Sequence, residues 1–166
     1  MCIRDRQHLG QTRDEKDFAD FTKGVVSGLP EMDKVVILSD QLNTHLSATL
    51  VEWIAREEEY DQTQLGMKGE SGILKSMQTR MVFLENPNHR IRFVYTPKHC
   101  SWLNPIENWF AKLQRHVIRN GNFSSVTELE NKILAYGVFY NKWLAKPLKW
   151  KFEGFAKSKK LFNLNV

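Results

Sequence analysis

Residues 35–40 read Val-Val-Ile-Leu-Ser-Asp, and this short stretch decides the fold class. Four consecutive apolar residues, three of them β-branched, predict a strand that is buried on both faces, as in the centre of a parallel sheet. Residues 91–95, Ile-Arg-Phe-Val-Tyr, alternate in polarity and predict a second strand. Helical patterns separate the two strands, so the predicted class is α/β with a right-handed crossover between parallel neighbours.

The sequence around these strands predicts five helices. Thr12 opens the first helix as part of a capping box, and Ser125 opens the last in the same way. Asn104 is the expected cap of the fourth helix, with Pro105 at its first position. The apolar face of that helix is expected to consist of Ile106, Phe110, Leu113 and Val117. The predicted helices cover about residues 12–29, 47–58, 73–84, 105–117 and 125–143.

Composition excludes several classes of protein. The 166 residues are 42% hydrophobic and 26% charged, and ten Phe, five Trp and four Tyr can supply a core, so the chain is not a disordered one. No apolar run approaches the roughly 18 residues of a membrane helix. With only Cys2 and Cys100, there is neither a disulfide framework nor a zinc site built on cysteine pairs. A cytoplasmic setting is the expectation.

Two carboxylates stand near the ends of the predicted strands. Asp40 directly follows the first strand, and Glu107 lies in the first turn of the helix after the second. Functional groups gather at this edge of an open parallel sheet, and a pair of carboxylates there suits Mg²⁺. Position alone favours a structural interpretation, in which Asp40 caps a turn and Glu107 completes a capping box with Asn104.

Two sequence motifs favour the catalytic interpretation. Residues 39–45, Ser-Asp-Gln-Leu-Asn-Thr-His, and residues 96–107, Thr-Pro-Lys-His-Cys-Ser-Trp-Leu-Asn-Pro-Ile-Glu, closely resemble insertion-sequence transposases of the mariner superfamily, which are DDE endonucleases. The resemblance covers about residues 12–150. It implies an RNase H-like catalytic core in which Asp40 and Glu107 are the second and third catalytic carboxylates. Gln41 departs from the motif, which more commonly has Asn at this position.

The resemblance also implies cofactors and partners. The complete site of such an enzyme holds two Mg²⁺ or Mn²⁺ ions and acts on double-stranded DNA, with transposon ends as substrate and a TA dinucleotide as target. A homodimer in the DNA complex and a nucleoid-associated location are expected. Two alternatives stay open: a catalytically dead DNA-binding remnant, and an RNase H-like nuclease with another role.

By this resemblance, the chain divides into three parts. Residues 1–11 match nothing in the family and are expected to be disordered or a junction remnant, residues 12–145 form a partial catalytic domain, and residues 146–166 form a basic tail. Asp40 and Glu107 are 67 positions apart, a longer separation than in the compact members of the family. The extra residues are assigned to an inserted appendage with its own helix, residues 60–88. No segment before residue 33 is predicted to form a strand, so the core is expected to be truncated, without its first strands and first catalytic Asp, and inactive alone.

Basic residues concentrate in the C-terminal part of the chain. Residues 98–166 hold 12 basic and 4 acidic side chains, a net charge of +8, whereas the whole chain has +5. Such a surface suits the phosphates of DNA, although solvated basic tails without a partner are common. For the histidines, an exposed position in a loop is the alternative to a DNA contact. The candidate DNA-binding residues are His45, Lys98, His99, Arg115, Arg119, Lys146, Lys149 and Lys151.

Overall fold

Two parallel strands, β1 (Val35–Ser39) and β2 (Ile91–Tyr95), form the sheet of the computed structural model, which describes residues 7–10, 12–98, 100 and 103–146. Both strands have the predicted bounds. Their register pairs Val35 with Ile91 and Ser39 with Tyr95, so the carboxyl ends of the two strands lie side by side. The architecture is therefore a mixture of helices with a small parallel sheet, as expected for the α/β class.

Five α-helices accompany the sheet in the described part of the chain. Short 3₁₀ turns lie at Asn43–Leu46, Gln62–Gln64 and Ile73–Lys75, and the fourth helix continues into a π turn at Gln114–Ile118. Within the described part of the chain, no helix has the length and apolarity to cross a membrane. The helices are α1 (Glu15–Val26), α2 (Ala48–Glu57), α3 (Met77–Leu84), α4 (Ile106–Leu113) and α5 (Val126–Trp143).

The sheet is buried on one face only, which corrects the prediction of a strand covered on both sides. The side chains of Val35, Ile91 and Phe93 belong to the core, together with residues of α1, α2 and α3. On the opposite face, Val36 is 63% exposed and Leu38 is 49% exposed. An apolar side chain shows that a position tolerates burial, but another element must still pack against it.

Residues 60–88, the predicted insertion, pack on the main core through helix α3. The segment contains the predicted helix and β1 pairs directly with β2, so the crossover is intact. However, Leu74, Phe83 and Leu84 are buried in the main core, and α3 contacts both α2 and β2. The apolar side of the segment is therefore part of the central packing.

Helix α1 begins two residues later than predicted. Asp14 caps it and accepts hydrogen bonds from the backbone N–H groups of Lys16 and Asp17, both at 2.8 Å. The Asp17 carboxylate in turn accepts from the Asp14 N–H and from the Thr12 hydroxyl, and these bonds lower the Asp17 pKa. Thr12, the predicted cap, therefore precedes the actual cap and contributes one hydrogen bond to the Asp17 carboxylate of the capping box.

Helices α4 and α5 pack against each other through aromatic side chains. Trp109 is buried and stacks on Tyr136 with ring centroids 5.5 Å apart, and its edge meets Tyr140 at 5.2 Å. Phe110, predicted on the buried face, is exposed instead. The packed face of α4 is thus rotated towards Trp109, whose large ring buries more apolar area than Phe110 would.

The beginnings of α4 and α5 largely agree with the predictions from the sequence. Asn104 Oδ1 accepts a hydrogen bond from the Ile106 N–H, although Pro105 precedes the first helical residue rather than being it. Ser125 caps α5 as predicted and accepts from the Glu128 N–H. The Glu128 carboxylate accepts from the N–H and hydroxyl of Ser124, and these bonds lower its pKa to about 2.

Candidate active site

The segments that follow the two strands are tied together by hydrogen bonds. The Thr96 N–H donates to the Ser39 carbonyl at 2.9 Å and extends the ladder beyond β2. The Gln41 side-chain amide donates to the Thr96 carbonyl, also at 2.9 Å. Gln41, which stands where the motif more commonly has Asn, thus connects the segment after β1 to the segment after β2.

Asp40 directly follows β1 and directs one carboxylate oxygen towards the following turn. Its Oδ1 accepts from the Leu42 N–H at 3.2 Å and lies 2.6 Å from His45 Nδ1. Within the described part of the chain, Oδ2 has no hydrogen-bond partner, and the side chain is 31% exposed. Asp40 therefore does cap a turn, and it also keeps one oxygen available.

His45 is held from three sides. Its Nδ1 lies 2.9 Å from the Ser39 hydroxyl and 2.6 Å from Asp40. Its ring packs on Phe18 of α1 with centroids 4.0 Å apart, and its backbone carbonyl accepts a 2.8 Å hydrogen bond from the Tyr95 hydroxyl. The side chain is only 21% exposed, so the alternative of an exposed loop histidine is wrong.

Glu107 lies in the first turn of α4 and is exposed. Its carboxylate forms no hydrogen bond or ion pair with any residue that the structure describes. The capping box with Asn104, which was the structural interpretation of Glu107, is therefore not formed. Helix N-termini favour negative charge in the first turn, so the carboxylate is stabilised there without a direct partner.

Asp40 and Glu107 are the candidate metal ligands among the described residues. No group of three or more His, Cys, Asp or Glu side chains is close enough to hold an ion within residues 7–10, 12–98, 100 and 103–146. Asp40 Oδ2 and the Glu107 carboxylate are hard oxygen donors of the kind that Mg²⁺ prefers. Cys100 is a free cysteine.

Four of the predicted DNA-binding residues are described by the structure and are exposed. These are Lys98, Arg115, Arg119 and Lys146. His45 is half-buried against Asp40, as given above. His99, Lys149 and Lys151, most of the predicted tail and residues 1–6 lie outside the described residues.

The π turn after α4 decides which of the two arginines shares a face with Glu107. Gln114 follows Glu107 by seven residues, about two α-helical turns, and so lies on the same face. The Arg119 N–H donates to the Gln114 carbonyl at 2.8 Å across the π turn, which places Arg119 above Gln114. Arg115, eight residues after Glu107, lies about 80° around the helix.

Comparison with models of known protein families gives a match. The sequence profile of a family described as DDE superfamily endonuclease matches residues 7–130 of the 166-residue chain. That range includes the sheet, Asp40, His45, Glu107 and Arg119, and it ends inside α5. Searches of curated proteins and of solved structures found no match.

Proposed function

The chain belongs to the DDE superfamily endonucleases, and from this membership we propose that it acts in DNA transposition, cutting a DNA strand and joining a 3′ end to a target. Its fold is then the RNase H-like core of such an enzyme, and the two motifs match the mariner superfamily. Asp40 and Glu107 are the second and third catalytic carboxylates.

One observation carries this assignment. Asp40 follows β1 and Glu107 lies in the first turn of the helix after β2, and these two strands are direct parallel neighbours in register. Each carboxylate also keeps an oxygen without a partner among the described residues. The protein holds Asp40 Oδ1, whereas Asp40 Oδ2 and the Glu107 carboxylate are open to a ligand.

The donor set fits the divalent ions that this family generally uses. Mg²⁺ takes one or two protein carboxylates and completes its shell with water and phosphate oxygens. Asp40 and Glu107 would hold the two Mg²⁺ or Mn²⁺ ions of the complete site, and Glu107 would also orient the nucleophile. The chemistry supplied by such a pair is stabilisation of the attacking and leaving oxygens of a phosphodiester.

The exposed basic residues support a DNA substrate. Lys98 lies in the loop between β2 and α4, and Arg119, at the end of the π turn, lies on the same side as Glu107. Contacts of this type neutralise phosphates and fix the register of the duplex without reading its sequence. Transposon ends, a TA target and a homodimer in the DNA complex are part of the same proposal.

Metal binding tests the assignment directly. Mn²⁺ titration, followed by electron paramagnetic resonance, is expected to show binding that Asp40→Asn and Glu107→Gln each weaken. Asp33→Asn and Glu70→Gln are matched controls, because both side chains are exposed and form no hydrogen bond in the described structure. Equal Mn²⁺ affinity in all five proteins would overturn the metal-site assignment.

A strand-cleavage assay tests whether the chain alone is catalytically active. No third carboxylate accompanies Asp40 and Glu107 in the described residues, so we expect no cleavage with Mg²⁺ or Mn²⁺ by the chain alone. Cleavage that Asp40→Asn abolishes would support the site and refute the expected inactivity. Mn²⁺ and DNA binding without cleavage support the proposed site and its missing carboxylate. DNA binding without Mn²⁺ binding would favour a DNA-binding remnant.

A further inference from the structure

His45 occupies a position that is fixed independently of Asp40. Phe18 from α1 covers one face of its ring, with centroids 4.0 Å apart, and Tyr95 from β2 holds its backbone carbonyl at 2.8 Å. Phe18 itself packs on the main core, and Tyr95 is buried. These two contacts restrict the movement of the imidazole, so a group that is hydrogen-bonded to its Nδ1 is restricted as well.

The hydrogen bond to Asp40 has a defined direction. An ionised carboxylate only accepts, so the 2.6 Å contact requires the proton on His45 Nδ1. Asp40 Oδ1 then has two donors, His45 Nδ1 and the Leu42 N–H. The other oxygen, Oδ2, has none within the described part of the chain. One oxygen of the carboxylate is thus held by the protein, and the other is open.

We propose that His45 is a positioning residue for Asp40: it fixes Oδ1 and thereby presents Oδ2 to a divalent cation. This inference rests on the proposed function, because it requires Asp40 to be a metal ligand. A carboxylate with one oxygen held by the protein loses less rotational freedom on binding an ion, and outer partners of this kind orient ligands in metal sites. Phe18 and Tyr95 hold His45 in turn.

This role differs from a DNA contact by His45. A phosphate contact through Nδ1 would have to displace both Asp40 and the Ser39 hydroxyl, which lies 2.9 Å from the same nitrogen. The ring is also covered by Phe18 and only 21% exposed. The geometry therefore directs Nδ1 of His45 inward, to the carboxylate.

The test compares Mn²⁺ affinity among four variants of the chain. His45→Ala is expected to lower the affinity about tenfold, at the lower end of the effect of outer partners on metal binding. His45→Asn is expected to restore most of it, because the Asn amide nitrogen, like Nδ1, is bonded to Cγ and donates to Oδ1. His116→Ala is the matched control with an exposed histidine, and Asp40→Asn gives the loss expected when the ligand itself is removed.

The outcomes separate this inference from the proposed function. If Asp40→Asn does not weaken Mn²⁺ binding, the proposed metal site fails. If Asp40→Asn weakens it while His45→Ala does not, only the positioning role is refuted. A loss of DNA affinity in His45→Ala with unchanged Mn²⁺ affinity would refute positioning in favour of a DNA contact.

A measurement on the unmodified chain keeps the inference testable if His45→Ala does not fold. Nitrogen-15 NMR of the His45 ring at pH 8 is expected to show the proton on Nδ1 and a bare Nε2. The opposite tautomer would mean that Nδ1 does not donate to Asp40, which would refute the proposal. Melting curves of each variant establish that a change in metal affinity does not come from unfolding.

Discussion

The Tyr95 hydroxyl at the end of β2 donates a 2.8 Å hydrogen bond to the backbone carbonyl of His45, which lies 50 positions earlier in the chain. Burial raises the Tyr95 pKa, so the phenol stays a donor at any ordinary pH. This bond joins the second strand to the turn that follows the first. The surroundings of Asp40 therefore depend on β2 as well as on β1.

Removing that hydroxyl should destabilise the protein. Tyr95→Phe leaves the His45 carbonyl without its donor, and we expect the free energy of unfolding to fall by about 1–2 kcal/mol. Tyr60→Phe is the matched control, since the Tyr60 hydroxyl donates to Gln64 at an exposed site and its loss should cost under about 0.5 kcal/mol. Urea unfolding measures both, and equal losses would contradict the prediction.

Helix α3 offers a test of whether residues 60–88 belong to the core. Leu84 is fully buried and Val82, two residues earlier, is 63% exposed. Leu84→Ala should cost about 2–5 kcal/mol of unfolding free energy, because it opens a cavity in the central packing. Val82→Ala should change it by less than about 0.5 kcal/mol. Similar small losses for both would indicate an appendage, as the sequence had predicted.

The strands could be predicted from the sequence because their signal is local. Residues 35–39 and 91–95 are short apolar or alternating runs that fit no amphipathic helix, and the structure gives the same bounds. What covers each face is not local information. The exposure of Val36 and Leu38 follows from which elements pack on the sheet, and an apolar run cannot reveal this.

The candidate site could be predicted only in outline. The ends of the strands predict where Asp40 and Glu107 lie. The contacts around Asp40 depend instead on side-chain geometry, which the sequence pattern does not show. They join Phe18 to His45, Gln41 to Thr96, and Tyr95 to His45. The π turn had no sequence signal either, because the apolar spacing after Ile106 fits a regular helix. It nevertheless determines that Arg119, rather than Arg115, shares the face of Glu107.

DNA binding should depend on Arg119 without depending on DNA sequence. Arg119→Gln is expected to weaken binding to a duplex with TA and to one without it by the same factor. Removing one phosphate contact should also reduce the slope of log K against log salt by about one. Fluorescence anisotropy over a range of salt measures both, with exposed Arg13→Gln as the control. An effect confined to the TA duplex, or an unchanged slope, would contradict a phosphate contact.

Acid should destabilise the protein through His89. Its side chain is buried against Phe83, with ring centroids 4.7 Å apart, and burial lowers its pKa although the Glu58 charge opposes the shift. The unfolded chain, with the ordinary histidine pKa of 6.5, therefore binds a proton first as the pH falls. The stability contributed by neutral His89 is complete above that pH and is lost as the pH falls towards the lowered value.

The measurement is the difference in unfolding free energy between pH 7.5 and pH 5.5. His89→Gln should be less stable than the unmodified chain at both pH values, because the side chain is buried. From pH 7.5 to pH 5.5, however, its unfolding free energy should fall by less than that of the unmodified chain. Carboxylates contribute to the pH dependence of both proteins and cancel in the comparison. The exposed His116→Gln should keep the full dependence. If His89→Gln keeps it too, burial of His89 does not govern the acid sensitivity.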